Sequence, residues 1–403
     1  MELFWLFLNQ FDGTIPPSLT SLPNLTHLDL DFLSLYGTIP PFGGPNASLV
    51  QCYMASNQFS GNLGRILATL PTATLEIFDV NNNLITGEIP TMIGDFSQLQ
   101  RLSLSVNRIR GTIPTEIGRL QSGLRMYYSD NLLVGTIPTE IGLLTAMEYF
   151  FVSRNNNING TIPTEVGNMA SLLSFGAIQN SLTGTLPTEL ANCSNLVSFG
   201  VSSNRIEGNL SEIIDFFQPA MFELFLGENI LTGSIPTTIG RLIGLETLVI
   251  GENQIVGHLP SEIGQLTNFT AFLLANNSIT GPLPSEIGQL TNLQQFAAQR
   301  NNFTGTLPSE MAQMTSLIIL DVSENSLTGS PGVITELTTI VAVRFYDNPF
   351  DGVSEVCNGN LVGVQIAANY CDNIVFNCSC CTHCCEYNSD GQRNCPSITG
   401  SVL

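Results

Sequence analysis

Hydrophobic positions along the chain follow one frame, Leu-x-x-Leu-x-Leu-x-x-Asn, repeated from end to end. Leu99-x-x-Leu102-x-Leu104-x-x-Asn107 is a clean copy, and Leu245-x-x-Leu248-x-Ile250-x-x-Asn253 is another. Alternation around the last two apolar positions predicts a short strand with one face buried and one face open. The asparagine predicts a sharp turn after it, because a short side chain with both a donor and an acceptor can satisfy backbone groups stranded inside the bend. Fourteen of fifteen repeats carry it. Leu33 takes the slot in the second repeat, and a one-residue insertion at Asn155, Asn156 and Asn157 leaves three candidates for the register.

Each frame is followed by Gly-x-(Ile/Leu)-Pro. The glycines run from Gly13 to Gly352, ten of their fourteen intervals are 24 residues, and an apolar residue stands two positions before each. The proline or its preceding aliphatic is lost after Gly61, Gly208, Gly329 and Gly352. Next comes (Thr/Ser)-Glu-(Ile/Val)-Gly-x-Leu, as in Thr115 to Leu120, which predicts one helical or 3₁₀ turn. Glu116, Glu140, Glu165, Glu189, Glu262, Glu286 and Glu310 fall in its first turn. A carboxylate is favoured there by about 0.3–1 kcal/mol through the helix dipole. Leu361-x-x-Val364-x-Ile366-x-x-Asn369 supplies one further strand, the sixteenth. At about 4.8 Å per parallel strand the expected stack is roughly 75 Å long. No single repeat can bury its own core, so the stability of such a chain comes from stacking on neighbours.

These motifs resemble the plant-specific subclass of leucine-rich repeats. The resemblance covers residues 1 to about 370 and implies an α/β solenoid: a right-handed leucine-rich-repeat arc with a parallel β-sheet on the concave face and short 3₁₀ or helical turns on the convex face. It also implies an extracellular recognition role, as in receptor-kinase ectodomains, receptor-like proteins and polygalacturonase inhibitors.

Composition narrows the chemistry. The 403 residues hold 33 acids against 12 bases, for a formal charge of −21, and all twelve bases are arginine. Without lysine there is no P-loop, kinase nucleotide lysine or Schiff-base lysine. So acidic a chain is repelled by nucleic-acid phosphates and anionic lipid. No apolar run approaches the roughly 20 residues that span a bilayer. Part of the acidity is the repeated glutamate, a structural device. No catalytic set emerges: His27 falls beside Asp29 and Asp31 with no nucleophile implied, and His258 merely follows a repeat glycine. No enzyme activity, metal or cofactor is expected in the array.

The two ends differ from the middle. Met1 to Asn9 already lies in register, with Phe4 and Leu6 inward and Leu3, Trp5, Phe7 and Leu8 outward. The expectation is that a leader and an N-terminal cap precede it, and that the chain is part of a longer, membrane-anchored or secreted protein. After the array at 1–370, residues 371–403 read as a Cys-rich cap. Cys357, Cys371, Cys378, Cys380, Cys381, Cys384, Cys385 and Cys395 suit an oxidised cluster, with a Cys378-to-Cys385 zinc site as the other reading. The Cys-x-Cys-Cys-Thr-x-Cys-Cys run resembles the tail of leucine-rich proteins of diatom-like algae. Cys52 and Cys193 occupy apolar slots about five repeats apart, too far to bridge, and read as buried free thiols. Nine sequons, among them Asn24, Asn46, Asn159, Asn209, Asn268 and Asn302, are glycosylation candidates consistent with an extracellular or cell-surface location.

The outward strand positions are the candidate recognition surface. Arg101, Arg125, Tyr127, Tyr149, Phe151 and Arg154 form its richest stretch, an arginine–aromatic composition typical of interface hot spots. A bare zone of Ser174, Gly176, Ser198, Gly200 and Ser202 follows, then Phe225, Val249 and Leu273, then Arg300, Arg344 and Tyr346. The expected ligand is a protein, peptide or glycan. The alternative is a structural or surface-adsorbing role, for ice or polysaccharide, through the threonines after repeat glycines: Thr14, Thr38, Thr112, Thr136, Thr161, Thr185 and Thr306.

Overall fold

The computed structural model describes residues 2–6, 9, 11–43, 48–155, 157–351 and 356, and the backbone of strands 365–369, 383–387 and 393–394. It contains two compact units. One comprises Met1–Glu207 with Phe216–Gln218, and the other Gly208–Asp215 with Pro219–Leu403.

In the first unit, three-residue strands at the predicted position run Leu3–Trp5, His27–Asp29, Gln51–Tyr53, Ile77–Asp79, Arg101–Ser103, Arg125–Tyr127, Tyr149–Phe151, Ser174–Gly176 and Ser198–Gly200. Each pairs with the next in parallel at equivalent residues, as Arg101 with Arg125 and Arg125 with Tyr149. The second unit repeats the arrangement from Glu223–Phe225 to Gln365–Asn369. Its sheet then goes on into the tail: His383–Tyr387 pairs in parallel with Gln365–Asn369 and antiparallel with Arg393–Asn394. The repeat frame in the sequence ends at Asn369, short of the strands that follow it. Of the proposed disulfide cap, Cys357, Cys371, Cys378, Cys380, Cys381 and Cys395 lie outside the described residues. Cys384 and Cys385 fall on the His383–Tyr387 strand, described for its backbone alone. Phe7, Leu8 and Asn46 also lie outside the described residues.

The asparagine ladder works as its chemistry requires. Asn131 donates through Nδ2 to Tyr128 O at 3.3 Å and Ser129 O at 3.2 Å, closing its own turn. The same amide reaches back to Leu104 O at 2.9 Å, and its Oδ1 accepts the Ile109 N–H at 2.9 Å. One side chain thus binds two repeats together. At the insertion the slot belongs to Asn155, whose Oδ1 takes the Leu133 N–H and whose Nδ2 reaches Val152 O and Tyr128 O. The residue before the slot is left-handed in every described turn from Phe32 to Asp347, with φ of 53–56° at fourteen non-glycine positions.

Most described repeats also have a second strand, which the alternation in the sequence does not mark. Leu84–Glu88, Arg108–Gly111 and Leu132–Thr136 are examples, paired in parallel on the flank of the first unit. The apolar residue two before the glycine is the inward side of that strand: Ile85, Ile109 and Leu133 are 0–1% exposed. The glycine itself has positive φ, 80° at Gly135, and Thr112 Cγ2 would stand 2.9 Å from any Cβ there. Gly160, Gly184 and Gly329 meet Thr136, Thr161 and Thr306 in the same way. The methyl half of the threonine ladder is therefore spent on contact between repeats.

The convex elements are 3₁₀ turns such as Thr115–Arg119 and Ser285–Gln289, with the expected glutamates in their first turns. Where Gly61 and Gly208 lose the proline, a short α-helix replaces the 3₁₀ turn. Asn62 caps Leu63–Leu67 by accepting the Arg65 N–H, and Asn209 caps Leu210–Ile214 by accepting the Ser211 N–H. An asparagine oxygen at the cap satisfies a donor that the helix start leaves free. Cys52 and Cys193 are buried free thiols, and Cys193 Sγ donates to Val166 O at 3.3 Å.

Candidate recognition surface

In the first unit the period-two alternation sends Leu102, Met126, Phe150 and Phe175 inward, each 0–1% exposed. The neighbours on either side of each face out, and strand pairing sets them in two rows. Arg101, Arg125, Tyr149 and Ser174 form one row; Ser103, Tyr127, Phe151, Gly176 and Gly200 form the other. Five of the six candidate residues come from three adjoining strands, and Arg154 follows at the left-handed turn after Tyr149–Phe151.

These side chains touch in series. The Arg101 guanidinium carbon lies 5.7 Å from the Tyr127 ring centre, and that of Arg125 lies 5.2 Å from Tyr149. Tyr127 and Phe151 stack at 5.6 Å with their planes 6° apart. Phe151 in turn leans on Gly176, where a Cβ would stand 2.5 Å from its Cδ1. The glycine in the bare zone is thus the seat of the last ring. Burial raises the Tyr127 phenol above its ordinary pKa, against the pull of Arg101 and Arg125.

Each arginine has an acidic partner. Arg101 Nη2 donates to Asp79 Oδ2 at 2.7 Å and its Nε to Ser103 Oγ at 3.0 Å. Arg125 reaches Glu148 at 3.4 Å, and Arg154 reaches Asp130 at 3.5 Å. Arg101 and Arg125 are cross-strand neighbours of like charge, a pairing that is unfavourable unless each charge is compensated. The surface is therefore neutral rather than positive. Glu148 went unnoticed in the sequence because it precedes the strand and lies outside the alternation. Asp79 is 3% exposed, and its burial raises its pKa although the Asn81 N–H and Arg101 favour the anion. Nearby, burial pushes Asp31 up to about 6, against the Ala55 N–H that it accepts and with Asp29 and Asp79 acting in the same direction.

In the second unit the outward row runs Phe225, Val249, Leu273, Ala297, Asp321 and Arg344. Arg344 pairs with buried Asp321 at 3.3 Å, and Arg300 pairs with Glu324 at 3.0 Å. His27 lies beside Thr26 and His258 beside Thr280 O. The sequons at Asn24, Asn159, Asn209, Asn268 and Asn302 are exposed. Among the described residues no helix is long and apolar enough to cross a membrane.

The family profile for the Leucine Rich Repeat matches residues 74–96 and 98–120. Among solved structures, the ectodomain of the Arabidopsis receptor kinase HAESA, in complex with an IDA peptide hormone, superposes with a TM-score of 0.83. It is 28% identical, over 92% of this chain and 62% of that one. The fold is a leucine-rich-repeat solenoid. The plant peptide hormone receptor RGFR1 in complex with RGF2 gives a TM-score of 0.78 at 27% identity, over 92% of this chain and 64% of that chain. By sequence, Receptor-like protein 7 of Arabidopsis thaliana is 33% identical over 106 residues, 26% of this chain and 10% of that protein. The chain thus spans about a tenth of the length of the curated relative and under two thirds of these receptor structures. Its repeats are similar to those of plant receptor-like proteins and receptor ectodomains.

Proposed function

We propose that this leucine-rich-repeat chain is an extracellular or cell-surface recognition module that takes a protein or peptide segment on the strand face of its first unit. The contact series Arg101–Tyr127–Phe151, flanked by Arg125–Tyr149 and by Arg154, carries the reading. Aromatic and guanidinium groups offer large contact area, and here they are already held by one another, so little side-chain freedom is lost on binding. The recessed strands Ser174–Gly176 and Ser198–Gly200 beside them leave room for a ligand backbone to come close. The likeness to receptors crystallised with peptide hormones supports the same class of ligand. Because every arginine of the patch is paired, affinity rests on stacking and desolvation, and salt changes it little.

The test is selection of a random linear-peptide display library on the full chain. Peptides enriched on the native protein should lose binding to the Tyr127→Ala/Phe151→Ala variant and weaken on Arg101→Ala, Arg125→Ala and Arg154→Ala. Enriched peptides that bind all these variants as well as the native chain would remove the patch from the mechanism.

A further inference from the structure

Six arginines are ion-paired: Arg101, Arg125, Arg154, Arg241, Arg300 and Arg344. Among the described residues Arg65, Arg108, Arg110, Arg119 and Arg205 form no ion pair, and of these Arg108 and Arg110 stand together. They stand on the flank strand Arg108–Gly111 of the first unit, both exposed, on either side of Ile109, which is 1% exposed. Two residues apart on one face of a strand, they are about 7 Å from one another. Neither guanidinium forms an ion pair among the described residues. Glu88 stands level with Arg110 on the neighbouring strand, but its side chain lies over Gly111 and pairs with neither arginine.

The fold does not ask for arginine at these places. The equivalent positions one repeat earlier hold Leu84 and Thr86, and one repeat later Leu132 and Val134. Exposed aliphatics stand on the same flank, on these strands or just before them: Leu84 at 39%, Val106 at 44%, Leu132 at 57% and Val134 at 39% exposed. Strand pairing sets Leu132 directly beside Arg110. Two guanidiniums that form no ion pair among the described residues, with exposed aliphatics beside them on a molecule of charge −21, form a surface with a definite complement.

We propose that this flank of the first unit docks a protein partner through an extended acidic segment, with two carboxylates at alternate positions among aliphatic side chains. A partner strand repeats its side chains at the same spacing of about 7 Å, so its two carboxylates meet the two guanidiniums in register. Guanidinium–carboxylate pairs are bidentate and charge-assisted, and apolar neighbours that exclude water strengthen them. The same aliphatics set a protein segment apart from a sulfated polysaccharide, which has no aliphatic side chains to cover Leu132 and Val134. The surface shares no residue with the strand-face patch and stands independently of it.

The probe is a fluorescein-labelled peptide of alternating leucine and glutamate, titrated onto the full chain at low salt and followed by anisotropy. The matching leucine–glutamine peptide and a sulfated polysaccharide serve as comparisons. The glutamate peptide should bind roughly tenfold or more tighter than the glutamine peptide, and weaken as salt is raised. Arg108→Gln/Arg110→Gln should cost roughly tenfold or more with an unchanged melting temperature, since neither side chain has a partner to lose. Leu132→Ser should weaken the peptide, whereas Tyr127→Ala/Phe151→Ala should not. Saturable binding that the arginine variant leaves intact, absence of binding at low salt, or a polysaccharide that binds through Arg108 and Arg110 while Leu132→Ser has no effect on the peptide would each overturn the proposal.

Discussion

Replacing Asn131 tests whether the asparagine ladder holds the repeats together. Asn131 is 6% exposed and serves four backbone groups, in its own turn and in the preceding repeat. In Asn131→Ala the losses are unequal. Leu104 O keeps the Asn107 Nδ2 donor at 3.0 Å, and Tyr128 O keeps Asn155 Nδ2 at 3.2 Å. The Ile109 N–H has no second acceptor, and burying it bare costs about 1–3 kcal/mol. With about 1 kcal/mol for the weakened carbonyl contacts, the expected destabilisation is about 3 kcal/mol. Asn131→Asp separates the donor from the acceptor. It can still accept from Ile109, but at neutral pH it sets a carboxylate against three carbonyls. It should be less stable than the alanine variant at pH 7 and recover in acid, where its protonated oxygen can donate. Global unfolding of a long array need not be two-state, so the assay is amide hydrogen exchange by mass spectrometry alongside denaturant melts. Exchange should accelerate first in peptides covering 101–136. A loss under 1 kcal/mol for Asn131→Ala, or an aspartate variant as stable as the native chain at pH 7, would refute the reasoning.

Other substitutions probe separate parts of the design. Gly118→Ala would place a Cβ 2.7 Å from Glu140 O, backbone that cannot step aside, and should lower stability by about 1–3 kcal/mol in a denaturant melt. Val106 is β-branched at φ 53° and open to solvent, so Val106→Asn should stabilise by about 1 kcal/mol; an equal or lower melting temperature would count against strain there. The Tyr128 hydroxyl is buried and finds no hydrogen-bond partner among the described residues, so Tyr128→Phe should be as stable as the native chain or more so by about 1 kcal/mol. For Asp31 the folded pKa of about 6 lies above the ordinary 3.8, so its contribution favours the fold most below pH 3.8 and is lost as pH rises through 6. Asp31→Asn, which can still accept the Ala55 N–H, should raise stability above pH 6 by about 1 kcal/mol after allowing for its partial exposure, and flatten the profile between pH 4 and 7. Parallel pH profiles for the two proteins would contradict this.

The strands and turns were legible because each rests on a local rule. Alternation around Leu102 marks a half-buried strand, Asn107 marks the bend, and Glu116 marks the start of the 3₁₀ turn. The lost prolines after Gly61 and Gly208 marked departures, but the helices that Asn62 and Asn209 cap there came only from the structure. Two features were hidden. The flank strand leaves a single inward residue, such as Ile109, before the glycine, too short a run for alternation to register. The left-handed residue before each asparagine has no fixed identity, being valine, arginine or glutamate as readily as asparagine, because the bend is imposed by bonds from the residues around it.

Charge was the least legible property, and the reason is geometric. In the sequence, Arg101, Arg125 and Arg154 on the strand face are compatible with a positive or a neutral patch. Their partners Asp79, Glu148 and Asp130 lie 22, 23 and 24 residues away, one repeat along the stack. A repeat period converts a long sequence separation into a contact of about 4.8 Å between strands. Whether an arginine is free or neutralised therefore depends on the residue about 24 positions off, not on its neighbours in sequence. On the flank, strand pairing sets Arg110 between Glu88 and Leu132, and among the described residues it forms no ion pair. The strand-face arginines are thus building material for a neutral aromatic surface, and the flank pair is free of ion pairs among the described residues. Raising salt should separate the two: ligands of the strand face keep their affinity, and acidic ligands of the flank lose theirs.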